Sequence, residues 1–191
     1  NGHRVNLWVY DKKDYETIVK ERENIRYLPG VSIPSNIDIY HNLNDAAEGQ
    51  ELILLAVPSH AVRETANKLA SYVGESPIVI NAAKGLEEKT YKLLSQVIEE
   101  EIPQAKVVVL SGPSHAEEVA QDIPTTVVCS SKDMKAAEQI QDLFMCPSFR
   151  VYTNPDLTGV ETGGALKNII ALAAGISAGL GYGDNTKAAI M

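Results

Sequence analysis

Seven short runs rich in β-branched and apolar residues punctuate the first 153 residues: VNLWVY (5–10), IDIY (37–40), ELILLAV (51–57), PIVINAA (77–83), KVVVL (106–110), TTVVCS (125–130) and FRVYT (149–153). Several are apolar at successive rather than alternate positions, so both faces of the strand need cover, as in a parallel sheet flanked by helices. Helical patterns lie between them, near 14–25, 61–73, 88–101 and 133–145. This alternation predicts a doubly wound α/β domain, whose ligands bind outside the carboxyl ends of the strands. From Asn154 onward the pattern turns helical and Gly/Ala-rich, which predicts the start of an all-α domain. The expected division is 1–153 and 154–191.

Both ends bear on that reading. Asn-Gly-His at 1–3 has the form of a helix C-terminus, with Gly2 as a left-handed cap leading into the first strand. A doubly wound domain would carry a strand, a glycine-rich turn and a helix before this point. At the other end, TKAAIM (186–191) stops within a helical pattern without a cap. Cuts through a longer protein are therefore expected at both termini. The absent first strand would lie between the runs at 5–10 and 51–57, so the sheet there is expected to be completed by another chain or segment, or rearranged. The 191 residues alone are expected to be catalytically inactive or nearly so.

Bulk properties exclude several function classes. A net charge of −8 with no run of five or six basic residues argues against a nucleic-acid duplex or an anionic membrane as main partner. An anionic small substrate stays open, because a few local lysines can hold one. Two cysteines, Cys129 and Cys146, are too few for a disulfide framework or a zinc site. They read as reduced thiols of a cytoplasmic protein, and no metal is expected. The run GGALKNIIALAAGISAGLG (163–181) approaches membrane length, but five glycines, Lys167 and Asn168 make it a poor spanning helix.

Four strand-end loops carry the chemistry. In WVYDKKD (8–14), Asp11 can accept hydrogen bonds from an adenine ribose or serve as a helix N-cap; position alone leaves both open. In AVPSHAV (56–62), the Pro58-Ser59 pair ends a strand and caps the next helix, and the structural role is favoured. In NAAKGLE (81–87), Lys84 follows a buried strand, where an unpaired ammonium would be expensive, so its head is expected in the ligand crevice. In LSGPSHAEEVA (110–120), Gly112 permits close backbone approach, Pro113 fixes the turn and Ser114 caps a short helix that includes Glu117. That S-x-x-E pattern also reads as a plain capping box. His60 and His115 sit in these loops without an evident carboxylate partner.

Lys167 poses the sharpest question. The seven residues after Asn168 begin Ile-Ile-Ala-Leu, so the segment offers little polar stripe for an ammonium group. Either Lys167 lies at the edge of a buried helix with its head in water, or it points into a cavity for a chemical reason.

Taken together, NGHRV–LW, ENIRYLPG (23–30), AVPSHAVRE, AAKGLE, SGPSHAEEVA, FRVYTNPDLTGVETGGALKN and GYGDNTKAAIM resemble, in order, the NAD(P)-dependent sn-glycerol-3-phosphate dehydrogenases. The resemblance covers essentially the whole chain. The family's N-terminal G-x-G-x-x-G turn and most of its C-terminal helical domain have no counterpart in it. It implies a Rossmann-like dinucleotide-binding domain, NAD or NADP as cofactor, and interconversion of sn-glycerol 3-phosphate with dihydroxyacetone phosphate, feeding glycerophospholipid synthesis. Lys167 matches the family's catalytic lysine, which takes the proton from the C2 hydroxyl. An apolar helix and the second ammonium of Lys84 are expected to disfavour its charged form. Tyr10, Asp11, Pro58, Lys84 and Ala116 are expected on the cofactor side, and Lys84, Gly112, Ser114 and Lys167 on the substrate side. Tyr10 stands where many bacterial members have Arg or His beside the adenosine, a departure that bears on NADP preference. The implied partner is a small phosphate-bearing substrate, with a homodimer as one assembly. The alternatives are a related hydroxy-acid dehydrogenase with a G-x-x-x-K-N helix, or a nucleotide-binding module without catalysis, which would have no need of Lys167.

Overall fold

The computed structural model describes residues 2–191; Asn1, the first residue of the expected helix C-terminus, lies outside them, while Gly2 is left-handed at φ +76°. Seven strands form where the sequence predicts them: β1 (Val5–Trp8), β2 (Ile37–Tyr40), β3 (Leu52–Leu55), β4 (Ile78–Asn81), β5 (Lys106–Ser111), β6 (Thr125–Ser131) and β7 (Phe149–Asn154). They make two sheets. β1 and β2 pair in parallel, and the other five run in the order β3-β4-β5-β6-β7. No ladder joins β1 to β3 among the described residues, so the sheet divides at the place expected for the first strand.

The central strands show why apolar residues run on without alternation. Val79 of β4 and Val107 of β5 pack into a core with Val62, Ala66 and Leu69 of α3 (Val62–Leu69) and with Leu94, Val97 and Ile98 of α4 (Leu94–Glu101). Ile78 and Ile80 of β4, with Val108 and Leu110 of β5, face the other way. They meet Ala136, Ala137 and Ile140 of α6 (Met134–Phe144). Helices thus cover both faces of the sheet, which makes the architecture Rossmann-like. α1 (Lys12–Glu21) packs on β2, and α2 (Leu43–Ala47), a short helix without a predicted counterpart, links β1 and β2 to α3.

Strand direction departs from expectation at one place. β3, β4 and β5 are mutually parallel, β6 is antiparallel to β5, and β7 follows β6 in parallel. The connection between β5 and β6 holds only α5 (Ala116–Ala120), and it turns back beside the strand it leaves instead of crossing to the far end of the sheet. Gly112 makes that turn possible. Its φ is +148°, and a Cβ there would lie 2.9 Å from the Thr126 carbonyl oxygen and the Val127 Cα.

Several helix bounds also differ from expectation. Residues 88–93 are not helical: a Leu86–Leu93 bridge closes a turn in which Tyr91 has φ +56°, and α4 begins at Leu94. α1 ends at Glu21 because Arg22 adopts the left-handed conformation, with its side chain donating to the carbonyls of Ile33, Pro34 and Ile37. A 3₁₀ turn over 59–61 precedes α3, and neither Pro58 nor Ser59 provides a side-chain cap. Residues 157–190 are helical apart from one turn, forming α7 (Leu157–Gly179) and α8 (Asp184–Ile190).

Gly112→Ala is expected to destabilise the fold by about 2 kcal/mol or more, since strained φ and overlap with backbone atoms act together. Chemical denaturation measures this, and a midpoint equal to that of the wild type would show that the β5–β6 turn can relax.

Candidate functional site

β4 and β5 run in the same direction, so their carboxyl ends deliver two loops to one edge of the sheet. The first begins at Asn81, which is fully buried. Its amide accepts from the Ala83 N–H at 3.1 Å and donates to the Ala83 carbonyl at 3.2 Å. This reciprocal pair bends the chain immediately after the strand and sends Lys84 out of the sheet. Gly85 then passes Ser59 so closely that a Cβ would sit 3.3 Å from the Ser59 Oγ, which brings the 58–61 loop alongside. A clamp holds the far side. Arg63 of α3 grips both Glu87 oxygens at 2.5 and 2.9 Å and also reaches Glu100 and Glu101. The Arg63 guanidinium, helped by the Thr90 hydroxyl, lowers the Glu87 carboxyl to about 2.

The second loop carries Gly112 and Ser114. The Lys84 ammonium donates to the Ser114 Oγ at 3.5 Å, and Ser114 in turn donates to the Gly112 carbonyl at 3.4 Å. Ser114 is therefore not the cap of α5. That position is His115, without a side-chain cap bond, and the hydroxyl faces Lys84.

α7 closes the group. Gly164 is pressed against the end of β5: a Cβ there would meet the Ser111 Oγ at 2.6 Å and the Lys84 Cγ at 3.8 Å. One turn further on is Lys167, close enough for its charge to act on Lys84. Burial pushes the Lys84 ammonium below its ordinary value, and the positive charge of Lys167 adds to the effect. Neither lysine has a carboxylate partner among the described residues. The expected enclosure of Lys167 is not found: Lys167, Asn168 and the apolar Ile169 and Leu172 are exposed, and α7 meets β5 and β6 through its earlier turns. Lys84, Gly112 and Ser114 thus come together with Gly164 against them, and Lys167 lies one turn further along α7 within electrostatic reach of Lys84.

The residues expected on the cofactor side are spread more widely. Pro58 is exposed on the loop after β3, and Ala116 is exposed as the first residue of α5. Tyr10 and Asp11 follow β1 and are exposed, and Tyr10 lies within electrostatic reach of Lys68 on α3. Both readings of Asp11 are compatible with its geometry. Its Oδ1 caps α1 by accepting from the Lys13 and Asp14 N–H groups at 2.8 and 3.0 Å, while Oδ2 has no hydrogen-bond partner among the described residues. Those N–H groups lower the Asp11 carboxyl, the Asp14 bond most.

Three structural supports of this site escaped the sequence reading: Asn81, the Arg63–Glu87 clamp, and Glu161 on α7. Glu161 alone left a local signal. Leu157, Glu161 and Gly164 recur at i, i+4 and i+7, which places an acid on the buried face of the helix.

The depressed Lys84 ammonium has a stability consequence. Between its lowered native value and 10.5, its value in the unfolded chain, the unfolded state binds the proton more often, so stability rises with pH through that window. Lys84→Met removes the cost of the charge. Its denaturation midpoint at pH 7 is expected at or above wild type, with the difference narrowing as pH approaches 10.5. A lower midpoint at pH 7 would show that the bond to Ser114 outweighs burial.

The wider likeness of the chain agrees with this geometry. Residues 1–137 match the profile of the NAD-dependent glycerol-3-phosphate dehydrogenase N-terminus, and residues 156–191 match that of the C-terminus. Over its full length the chain is 56% identical to a glycerol-3-phosphate dehydrogenase [NAD(P)+] of Clostridium tetani and 56% identical to one of Clostridium acetobutylicum. It covers 54% and 57% of those proteins, so it spans just over half the length of the curated relatives it matches. The crystal structure of glycerol-3-phosphate dehydrogenase from Coxiella burnetii superimposes with a TM-score of 0.88 at 36% identity, covering 98% of this chain and 57% of that one. The chain belongs to the NAD-dependent glycerol-3-phosphate dehydrogenase family.

Proposed function

We propose that this chain forms the cofactor-binding and base-carrying part of an enzyme that interconverts sn-glycerol 3-phosphate and dihydroxyacetone phosphate. Residues 1–153 are the dinucleotide-binding domain and 154–191 open the helical substrate domain. The observation that carries the reading is that Lys84, bonded to Ser114 and in contact range of Gly164, lies within electrostatic reach of Lys167 one turn along α7, and neither ammonium group has a carboxylate partner among the described residues. An anion beside the pair relieves the repulsion that disfavours the charged Lys84, and a phosphate-bearing substrate supplies one.

The donor set also suits a dinucleotide. Asp11 has a free carboxylate oxygen for a ribose hydroxyl, and Pro58 after β3 and Ala116 at the start of α5 are exposed to a ligand. When bound, the nicotinamide ring supplies the hydride acceptor. In the oxidative direction the Lys167 amine, in its neutral form, takes the proton from the C2 hydroxyl as the C2 hydride departs, leaving a carbonyl and an ammonium. In reverse the Lys167 ammonium returns that proton to the carbonyl oxygen. Lys84 stabilises negative charge at the substrate, with Ser114 and the backbone at Gly112 orienting it. We place the enzyme in the cytoplasm, in keeping with two free thiols, of which the Cys129 thiol is pushed up to about 12 by burial. No helix of the described residues is long and apolar enough to cross a membrane.

Lys167→Met in the full-length enzyme keeps the side-chain volume and removes the base. It is expected to lower kcat by about 10² to 10⁴ with little change in cofactor affinity; a near-normal kcat would return Lys167 to a surface role.

Cofactor choice follows from Asp11. Its carboxylate favours a 2′-hydroxyl and repels a 2′-phosphate, so kcat/KM is expected to be higher with NADH than with NADPH. A tenfold preference for NADPH would assign the ribose to Lys12 and Lys13 instead.

A further inference from the structure

Glu161 is 6% exposed, and its carboxylate is bound entirely by one residue of another element. The Ser95 N–H donates to Oε1 at 3.0 Å and the Ser95 hydroxyl donates to Oε2. Ser95, itself 1% exposed, is the second residue of α4, so the carboxylate satisfies an N–H group that the helix leaves unpaired. Burying a carboxylate is costly, and an apolar side chain would dock α7 at lower cost. What the carboxylate adds is direction: two hydrogen bonds to one residue fix the position of α7 along α4, whereas apolar contact would allow it to slide.

We propose that Glu161 is a positioning residue, whose paired hydrogen bonds to Ser95 set the height of α7 on the sheet and so the separation of Lys167 from Lys84. This rests on the reading of those two lysines as the reacting pair. Six residues of helix, about 9 Å, carry the placement from Glu161 to Lys167. Midway, Gly164 presses on Ser111 and prevents rocking toward the sheet. Beyond Lys167 the helix contacts α8 and leaves Ile169, Leu172 and Ile176 exposed, so Glu161 is the side chain that ties it by hydrogen bonds to the sheet-covering α4. The charged groups nearest Glu161 are Glu99 of α4 and Lys132 of the turn after β6, and these are paired with each other at 2.7 Å. Burial pushes the Glu161 carboxyl up, while the Ser95 bonds hold it down.

The test uses the Lys84–Lys167 interaction as a ruler that needs no turnover. In this chain, side-chain NMR of the lysine ammonium groups follows the titration of Lys84 with and without Lys167→Met. In the wild-type background that substitution raises the Lys84 midpoint. The rise is expected to persist with Glu161→Gln, whose oxygen accepts from the Ser95 N–H while its NH2 group donates to the Ser95 Oγ, reversing that second bond, and to be lost with Glu161→Ala. Ser95→Ala removes only the hydroxyl bond and folds under milder demand; it is expected to diminish the rise. An undiminished rise in Ser95→Ala or in Glu161→Ala overturns the proposal. In the full-length enzyme, Glu161→Ala is expected to lower kcat by about tenfold to 10²-fold at unchanged cofactor KM, with Glu161→Gln restoring it. A loss that glutamine does not restore overturns the positioning role, and an enzyme inactive on glycerol 3-phosphate with an intact NMR response overturns only the substrate reading.

Discussion

β4 and β5 have no face in contact with water, and this constraint governs the molecule. Val79, Ile80 and Val108 are at most 2% exposed, and each fully buried aliphatic side chain of this size contributes on the order of 1.5–3 kcal/mol. That burial requires α3 and α4 on one face and α6 on the other. With both faces occupied, the sheet has only its ends for polar chemistry. Asn81 and Ser111 sit where the strands emerge, and the loops beyond them carry Lys84 and Ser114.

The site is consequently assembled from groups that oppose its own stability. Lys84 is half-buried and faces a like charge, and Gly164 forgoes a side chain to let a helix touch a strand end. The surroundings absorb this. Arg63 with its three carboxylates stiffens the loop that carries Lys84, and the Asn81–Ala83 pair fixes its exit angle. Such networks are exposed enough that each ion pair contributes little by itself, but together they leave the loop few alternative paths.

Element type was legible because hydrophobic period is a local property. All seven runs became strands, and the alternation with helices announced the layered fold. Strand direction was not legible in the same way, since β6 reads equally well either way round; its reversal depends on the Gly112 turn, where the contact is with Thr126 and Val127 across the sheet. Residues 88–93 carry helix-favouring side chains, yet the Arg63–Glu87 clamp and the left-handed Tyr91 hold them in a turn. Ser114 has the spacing of a cap and points instead at an ammonium group 30 positions away. In the candidate site, Lys84 and Lys167 were visible as charges in apolar surroundings. Glu161 has the same signature, an acid among the small and apolar residues of α7. Arg63 could not be found locally, because its partners lie 24 to 38 positions distant.

The reversal at β6 also decides where the chain is heading when it leaves the sheet. Because β7 runs with β6, it heads away from the carboxyl ends of β4 and β5 and finishes level with Val109, and α7 then runs back to meet Ser95 at the start of α4 and Ser111 at the end of β5. Were β6 parallel to β5, β7 would finish at the top and the next helix would descend away from Lys84. One switch of polarity therefore turns the last strand into a launching point, and the helix bearing the second lysine arrives running toward the carboxyl ends of the strands. Past Lys167 the same trajectory brings the helix against α8, with Ser177 buried and Ile169, Leu172 and Ile176 on the outer side.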